Sequence, residues 1–362
     1  MAGIYIHIPF CKSRCKYCDF FSTTQLQLQD SYVRALLAEW NKRKLDWQST
    51  PIHTIYIGGG TPSLLTIPNI QLLLRTILRD IDTTHLREVT LEANPGDFTE
   101  EKVRAWRSLG INRLSIGIQS FHDPTLLIIG RRHTASQAIE AVRIAQEAGI
   151  DNISIDLMYA LPGQTMKDWQ DDIAQALSLS VNHISSYGLI YEPDTPLTRL
   201  LQEGKIEMVD EDEEIAMYDY LVQTLTQHGY EHYEVSNFAL PGKYSQHNSS
   251  YWNDTPYLGL GAGAHSYDGK SRWWNIEDIA IYIDQATTDS LCPEQELLTD
   301  EQRHTERVML GLRTAHGVAV SDVRTEHIQA YTKDGLLLLR DDRIIATTQG
   351  FHVLNRIIQD LV

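Results

Sequence analysis

The chain has 362 residues, of which 42% are hydrophobic, so it can bury a sizeable apolar core. Its formal net charge is −17, with 48 acidic against 31 basic residues. Because contacts to phosphate need clustered Lys and Arg, this balance argues against a nucleic-acid partner. The sequence has no apolar run of about 18 residues and no signal-peptide pattern at its N-terminus, so we expect a cytoplasmic protein.

Short apolar runs rich in β-branched residues alternate with segments of helical periodicity as far as residue 228. The predicted strands are 4–9, 54–58, 88–93, 113–119, 152–159 and 183–190. The predicted helices are 30–46, 67–80, 99–109, 136–148, 167–179 and 211–228. Strands that alternate with helices pair in parallel through right-handed crossovers, so a doubly wound sheet and a (β/α) barrel both fit this pattern.

Polar residues or glycines follow each predicted strand. Three cysteines follow the first strand, a glycine-rich turn (58–61) follows the second, and the later strands end at or near Glu92, Gln119, Asp156 and Tyr187. In parallel α/β folds, functional groups collect at the carboxyl ends of the strands. Six such ends in succession favour a barrel, complete or partial, over residues 1–240.

The regular alternation ends near residue 240. Residues 241–298 are rich in Gly, Ser, Asn and aromatic residues and are predicted to form a connecting loop or binding segment. Residues 299–362 read as helix, short segments, strand, turn, strand and helix, an order that resembles a winged helix. Residues 300–362 carry eight Lys and Arg against nine Asp and Glu, so we interpret this unit as a packing module rather than a DNA reader.

Three of the four cysteines, Cys11, Cys15 and Cys18, lie in the motif CKSRCKYC, whereas Cys292 is far away and is interpreted as buried or incidental. The C-x3-C-x2-C spacing lacks a close fourth cysteine, which leaves one metal position open for an external ligand. The spacing favours an iron–sulfur cluster. The alternatives are a zinc site completed by His7 or a distant histidine, and no metal at all. On the first strand, His7 is more readily a satisfied residue of the barrel interior.

The motif CKSRCKYC, with Tyr17 before its last cysteine, resembles the radical S-adenosylmethionine superfamily. The GGGTPSLL turn is similar to the motif that binds the methionine amino group in that superfamily, and glycines let the backbone approach a ligand closely. The resemblance implies an α/β fold with a partial (β/α)6 TIM-like barrel. It also implies a 4Fe–4S cluster held by Cys11, Cys15 and Cys18, with S-adenosylmethionine on the open iron.

Further motifs narrow the resemblance to the oxygen-independent coproporphyrinogen III oxidases and the related HemW heme chaperones. They are IYIHIPFCKSRCKYCDF, LEANPGDF, RLSIGIQSF, GRRHT and IDLMYALPGQT, and the similarity covers nearly the whole chain. By this resemblance, the residues at S-adenosylmethionine-binding positions are Tyr5, Tyr17, Gly59, Gly60, Thr61, Glu92, Gln119, Arg131 and Asp156. The resemblance does not decide whether S-adenosylmethionine is cleaved or only bound.

Three features are more similar to the heme chaperones than to the oxidases. Phe20 stands where the oxidase motif has an extra cysteine, few residues precede Cys11, and HNSSYW (247–252) resembles the HNxxYW motif thought to bind heme. The resemblance therefore implies heme as a ligand, His247 as its iron ligand, and respiratory hemoproteins as acceptors. His265 in GAGAHSY is the rival ligand. A homodimer and peripheral membrane contact stay open, and coproporphyrinogen III oxidation is the alternative function.

Overall fold

A computed structural model describes residues 1–362, and its first half is a run of strand–helix repeats. The parallel strands are β1 (Ala2–Ile8), β2 (Ile52–Gly59), β3 (Glu88–Ala93), β4 (Arg113–Gln119), β5 (Asn152–Tyr159) and β6 (His183–Gly188). The helices are α1 (Gln29–Arg43), α2 (Ile67–Asp80), α3 (Glu100–Ser108), α4 (Asp123–Ile128), α5 (Ala135–Glu147), α6 (Met166–Ser178), α7 (Pro196–Gln202) and α8 (Glu211–Gln227). All twelve predicted elements are present, whereas the short helices α4 and α7 were not predicted.

The helices begin where the sequence supplies side-chain caps. Threonines cap α2, α3, α5 and α6 by accepting a hydrogen bond from a backbone N–H of the first turn. At α5, the side-chain oxygen of Gln137 accepts a hydrogen bond from the backbone N–H of the cap Thr134, which completes a capping box. These caps fix the helix starts, and therefore the lengths of the loops that leave the carboxyl ends of the strands.

Strands β1 to β6 pair in sequence order, which distinguishes a barrel from a doubly wound sheet. Each strand is hydrogen-bonded in parallel to the next one along the chain. A doubly wound sheet reverses its strand order at a switch point, and there is no such reversal among β1 to β6. The sheet extends at both edges instead of closing, so the predicted partial (β/α)6 barrel is confirmed.

Apolar and polar residues alternate along these six strands. The apolar set packs into one core of 55 buried residues with the helices, and it includes Ile4, Ile6, Ile55, Ile57, Val89, Leu91, Leu114, Ile116, Ile153, Ile155 and Ile184. Residues of the alternate set hydrogen-bond to one another or to residues inside the barrel, and they include Tyr5, His7, Thr54, Tyr56, Glu92, Ser115, Asp156, Ser154 and His183. Successive side chains on a strand point to opposite faces. The barrel interior is therefore polar and suited to a polar ligand, unlike the packed apolar interior of a closed barrel.

Residues 241–298 contain regular elements rather than the predicted loop. Strand β9 (Tyr257–Leu260) joins the β1 edge in parallel and is followed by β10 (His265–Tyr267), β11 (Ser271–Trp274) and β12 (Glu294–Leu297). The helices α9 (Gln246–Trp252) and α10 (Ile279–Thr287) complete this segment. Just before it, strands β7 (Glu231–Glu234) and β8 (Asn237–Ala239) extend the β6 edge of the sheet. These strands have three or four residues each and depend on pairing with neighbours, so local periodicity could not predict them.

The C-terminal residues form a small α/β unit. It comprises α11 (Asp300–Gly311), β13 (Val318–Ala319), α12 (Ile328–Lys333), β14 (Leu337–Arg340), β15 (Arg343–Ala346), α13 (Thr348–His352) and α14 (Leu354–Leu361). Its three strands pair antiparallel, and it has its own cluster of 11 buried apolar residues. Asp341 and Asp342, both at positive φ, connect β14 and β15, as the sequence predicted. The element order is that of the predicted winged-helix-like unit.

Two further observations concern the whole chain. Cys292 is exposed, so the interpretation of this residue as buried was wrong and the incidental alternative stands. None of the helices combines the length and the hydropathy that crossing a membrane requires.

Candidate cluster and S-adenosylmethionine site

The cysteine loop after β1 is held in place by backbone hydrogen bonds. The N–H of Cys11 donates to the carbonyl of Thr23 at 2.9 Å, and the N–H of Lys16 donates to the carbonyl of Ile129 at 2.9 Å. The loop is thus tied to its own return segment and to the end of α4. Neither of these two bonds involves a thiol.

The three thiols of this loop are close enough to influence each other electrostatically. Burial raises the pKa of Cys11 and of Cys18, and charge repulsion from the neighbouring thiols raises both further. All three are free of disulfides. No group of three or more His, Cys, Asp or Glu side chains converges on a single-ion position.

The glycine turn after β2 lies directly against the cysteine loop. Gly59 has a φ of +110°, and a Cβ at this residue would lie 2.6 Å from the ring of His7. A Cβ at Gly60 would lie 3.1 Å from Sγ of Cys11, and Oγ1 of Thr61 lies 3.5 Å from the same sulfur. Glycine is therefore required here both by the backbone conformation and by the close approach of the two loops.

Glu92, at the end of β3, accepts hydrogen bonds from this turn. Its carboxylate accepts from the N–H of Gly59 at 2.9 Å and from the hydroxyl of Tyr56 at 2.7 Å. Burial, with added repulsion from Asp156, raises the pKa of Glu92 to about 7. A carboxyl with this pKa gains or loses its proton near neutral pH, so its charge can respond to a cationic ligand.

Arg131 connects the cysteine loop to β4. Its Nη1 donates to Sγ of Cys15 at 3.4 Å, and its Nη2 donates to the carbonyl of Gly117. Gln119, two residues further along β4, has a φ of +72°, an uncommon conformation for a residue other than glycine. Such strain concentrates at functional sites.

The remaining predicted residues are Asp156 and Tyr5 inside the same barrel and Tyr17 in the cysteine loop. Asp156 on β5 accepts from the hydroxyl of Ser115 at 3.2 Å, and burial raises its pKa. The hydroxyl of Tyr5 lies 3.0 Å from Nδ1 of His7, whose Nε2 lies 3.0 Å from the carbonyl of Phe21. His7 is thus satisfied within the barrel, as predicted. Burial also raises the pKa of Tyr17, which lies beside Arg131.

Asp97 is a residue of this site whose role the sequence analysis missed. It accepts from Lys12 of the cysteine loop at 3.2 Å, from Ser63 of the glycine turn at 2.9 Å, and from Arg132 at 3.5 Å. One buried carboxylate thereby joins three loops at the mouth of the barrel. The signal was its position in LEANPGDF, one of the motifs that carry the resemblance.

His247 lies at the amino ends of the strands, and its ring stacks on those of Tyr56 and Tyr5 with ring centroids 5.0 and 6.5 Å apart. Its ring packs against Gly3 near the start of β1, and its Nδ1 lies 2.7 Å from Oγ1 of Thr54 near the start of β2. Its Nε2 lies 2.9 Å from the hydroxyl of Tyr251. Glu88 accepts the backbone N–H of His247 at 3.1 Å and so stabilises the N-terminus of α9. His247 is only 1% exposed, and both of its ring nitrogens are engaged.

Comparison with known proteins identifies the family. Residues 5–176 match the Radical SAM superfamily. The chain is 37% identical to the heme chaperone HemW of Lactococcus lactis subsp. lactis (strain IL1403), over 98% of this chain and 96% of that protein. It is 39% identical to the HemW of Bacillus subtilis (strain 168), over 88% of this chain and 85% of that protein. The chain belongs to the HemW family of the radical S-adenosylmethionine superfamily.

The fold of this HemW family member is also that of a solved radical enzyme. The structure of the coproporphyrinogen III oxidase HemN from Escherichia coli superposes with a TM-score of 0.84, covering 99% of this chain and 89% of that one. The two are 22% identical, so this likeness shows a shared fold only.

Membership of the superfamily implies a 4Fe–4S cluster and S-adenosylmethionine, and the site fits both. Three free thiols with mutual charge repulsion lie in a backbone-anchored loop, and cluster iron stabilises thiolates. Gly59 and Gly60 bring a backbone turn against that loop, and Glu92 and Asp156 provide acidic groups inside the barrel. When bound, the cluster would supply one-electron chemistry, and these residues would hold and orient the ligands around it.

We expect His247→Ala to lower the free energy of unfolding by about 3 kcal/mol, since it removes two buried hydrogen bonds and leaves a cavity. Burial and the positive charge of Arg113 lower the pKa of His247 to about 3, from an ordinary value of 6.5. Below about pH 6.5, His247 therefore takes up a proton in the unfolded chain but not in the folded protein, so the free energy of unfolding falls as the pH falls. In His247→Ala, the free energy of unfolding should fall less over the same pH range.

Urea denaturation curves of the cluster-free protein, recorded from about pH 4 to about pH 7.5 at intervals of about one pH unit, measure both effects. The matched control is His327→Ala, an exposed histidine in the C-terminal unit, which should change stability by less than about 0.5 kcal/mol. Equal stability of His247→Ala and wild type would mean that α9 is not docked in the barrel in solution.

Proposed function

We propose that this protein is a heme chaperone that holds a 4Fe–4S cluster with S-adenosylmethionine, binds heme, and passes it to respiratory hemoproteins. The observation that carries the proposal is the extent of its similarity to proteins named heme chaperone HemW, which covers 98% of this chain. That similarity includes β9 to β12 and the C-terminal unit, well beyond the residues that match the superfamily. Parts of the chain outside the cluster-binding barrel are thus also similar to the heme chaperones.

The proposed ligands of the cluster are Cys11, Cys15 and Cys18. The proposed contacts of S-adenosylmethionine are Tyr5, Tyr17, Gly59, Gly60, Thr61, Glu92, Gln119, Arg131 and Asp156. These residues lie on the carboxyl halves of the strands or on the loops that follow, with Tyr5 at the middle of β1. Ligation of heme iron by His247 stays a prediction, and in this fold it requires α9 to leave the barrel.

The second candidate is oxidative decarboxylation of coproporphyrinogen III, because the acidic and glycine residues of a radical site are all retained. Phe20 favours the chaperone over this candidate. It occupies the position of the extra oxidase cysteine, and it is 70% exposed at the lip of the cysteine loop. A phenylalanine cannot ligate iron, but an exposed aromatic ring can pack on a flat apolar ligand.

An anaerobic heme titration of the cluster-reconstituted protein tests the proposal. It should run beside an assay that contains coproporphyrinogen III, S-adenosylmethionine and a reductant. We expect saturable heme binding, transfer of that heme to an apo-hemoprotein, and no decarboxylation of the porphyrinogen. Formation of protoporphyrinogen IX would favour the oxidase, and the absence of heme binding would refute the chaperone function.

A further inference from the structure

A histidine can bind heme iron only through a ring nitrogen that is accessible and not already hydrogen-bonded. One free ring nitrogen is enough, as in exposed His228 at the end of α8, whose Nδ1 alone is hydrogen-bonded, but six of the fourteen histidines make no side-chain hydrogen bond with either nitrogen: His53, His85, His265, His304, His316 and His327. His53 and His85 stack on each other near the amino end of β2, with ring centroids 5.9 Å apart. The last three belong to the C-terminal unit. Of these six histidines, His265 is the one that lies on β10, among the strands that extend the main sheet beyond β1.

His265 lies on the face of the sheet that continues the barrel interior. In the β10–β11 pair it stands opposite Trp274, while the next pair, Ser266 and Trp273, points to the other face. Trp273 packs against the apolar core beneath the helices. Because side chains alternate between faces, His265 and Trp274 lie on the concave side, which Tyr5 also faces.

The position of His265 is also next to the cysteine loop. Residues 261–264 connect β9 to β10, and a Cβ at Gly261 would lie 2.8 Å from the carbonyl oxygen of His7. A Cβ at Gly263 would lie 3.5 Å from Cδ1 of Phe21, three residues after Cys18. His265 thus follows a glycine segment that packs on the β1 end and on the cysteine loop, and its backbone lies against Gly259, which pairs with Tyr5 at the middle of β1.

The surroundings of His265 suit a flat metal-bearing ligand. The imidazole is exposed, and its ring stacks on Trp274 with centroids 5.6 Å apart and an angle of 22° between the planes. Partial burial and the charge of Arg272 lower the pKa of His265, so the neutral imidazole that metals require predominates at neutral pH. Trp274 fixes the ring orientation and adds an apolar surface beside it.

We infer that His265 is the iron ligand of the heme in the resting fold, with Trp274 as a stacking wall and heme placed on the concave face beside the cysteine loop. This inference rests on the proposed heme-binding function. It differs from ligation by His247 because it needs no rearrangement of α9.

Heme titration of four cluster-reconstituted variants tests the inference: His265→Ala, Trp274→Ala, His247→Ala and the control His327→Ala. We expect His265→Ala to weaken heme binding by about tenfold or more and to remove the histidine signature of heme iron in electron paramagnetic resonance. Added imidazole should restore that signature in His265→Ala. Trp274→Ala should weaken binding while keeping the signature, and His327→Ala should behave as wild type.

The outcomes separate this inference from the proposed function. Failure of the wild type to bind heme would refute the function itself. Wild-type affinity and spectrum in His265→Ala would overturn the inference and leave the function intact. Loss of the histidine signature in His247→Ala, with circular dichroism unchanged, would assign the iron to His247 and also overturn it.

Discussion

Replacing Cys11, Cys15 and Cys18 together with alanine should abolish iron and sulfide binding while the protein stays folded. The thiols are the only proposed protein ligands of the cluster, so their loss leaves no protein ligand for iron. The cysteine loop keeps its backbone hydrogen bonds to Thr23 and Ile129 in the variant, because neither bond uses a thiol. Iron and sulfide analysis after anaerobic reconstitution, with the visible absorption band, measures the effect.

Cys292→Ala is the matched control for this prediction. Cys292 is exposed and lies outside the cysteine loop, so the variant should keep the full iron and sulfide content. Far-UV circular dichroism of both variants should match the wild type. Iron and sulfide content unchanged in the triple variant would place the cluster elsewhere in the chain.

The barrel could be predicted from the sequence because each strand carries two signals at once. Ile55 and Ile57 pack into the core, while Tyr56 between them reaches Glu92 inside the barrel. The apolar residues identify the strand, and the polar ones identify its functional face. The motif resemblance then added the roles of residues such as Glu92, which periodicity alone could not assign.

The setting of His247 could not be predicted, because it depends on contacts distant in sequence. HNSSYW is polar and follows a proline–glycine turn, so it reads as an exposed loop. The residues that bury it, Gly3, Thr54 and Glu88, come from the starts of three strands. A short helix can be buried by such tertiary contacts even when its own sequence is polar.

Glu92→Gln should weaken S-adenosylmethionine binding by about tenfold or more, because it removes a negative charge that attracts the cationic ligand. The amide keeps the shape of the side chain and an oxygen that can accept the N–H of Gly59, so the turn should persist. Calorimetric titration of the cluster-reconstituted protein with S-adenosylmethionine measures the loss. An affinity equal to that of the wild type would contradict the assignment of Glu92 to this site.

The pH dependence provides a second test of the same residue. The pKa of Glu92 is raised to about 7, so the carboxyl is largely protonated below this pH and ionised above it. A cationic ligand binds the ionised form better, and wild-type affinity should therefore rise between about pH 6 and 8, whereas that of Glu92→Gln should rise less.

Glu234 is the control for both measurements. It is buried on β7, and burial raises its pKa to about 7 as well, but it lies beyond β6 rather than beside the glycine turn. Glu234→Gln should therefore keep both the affinity for S-adenosylmethionine and its rise with pH. If Glu234→Gln also removed the rise with pH, the dependence would reflect buried carboxyls in general rather than the carboxylate that holds Gly59.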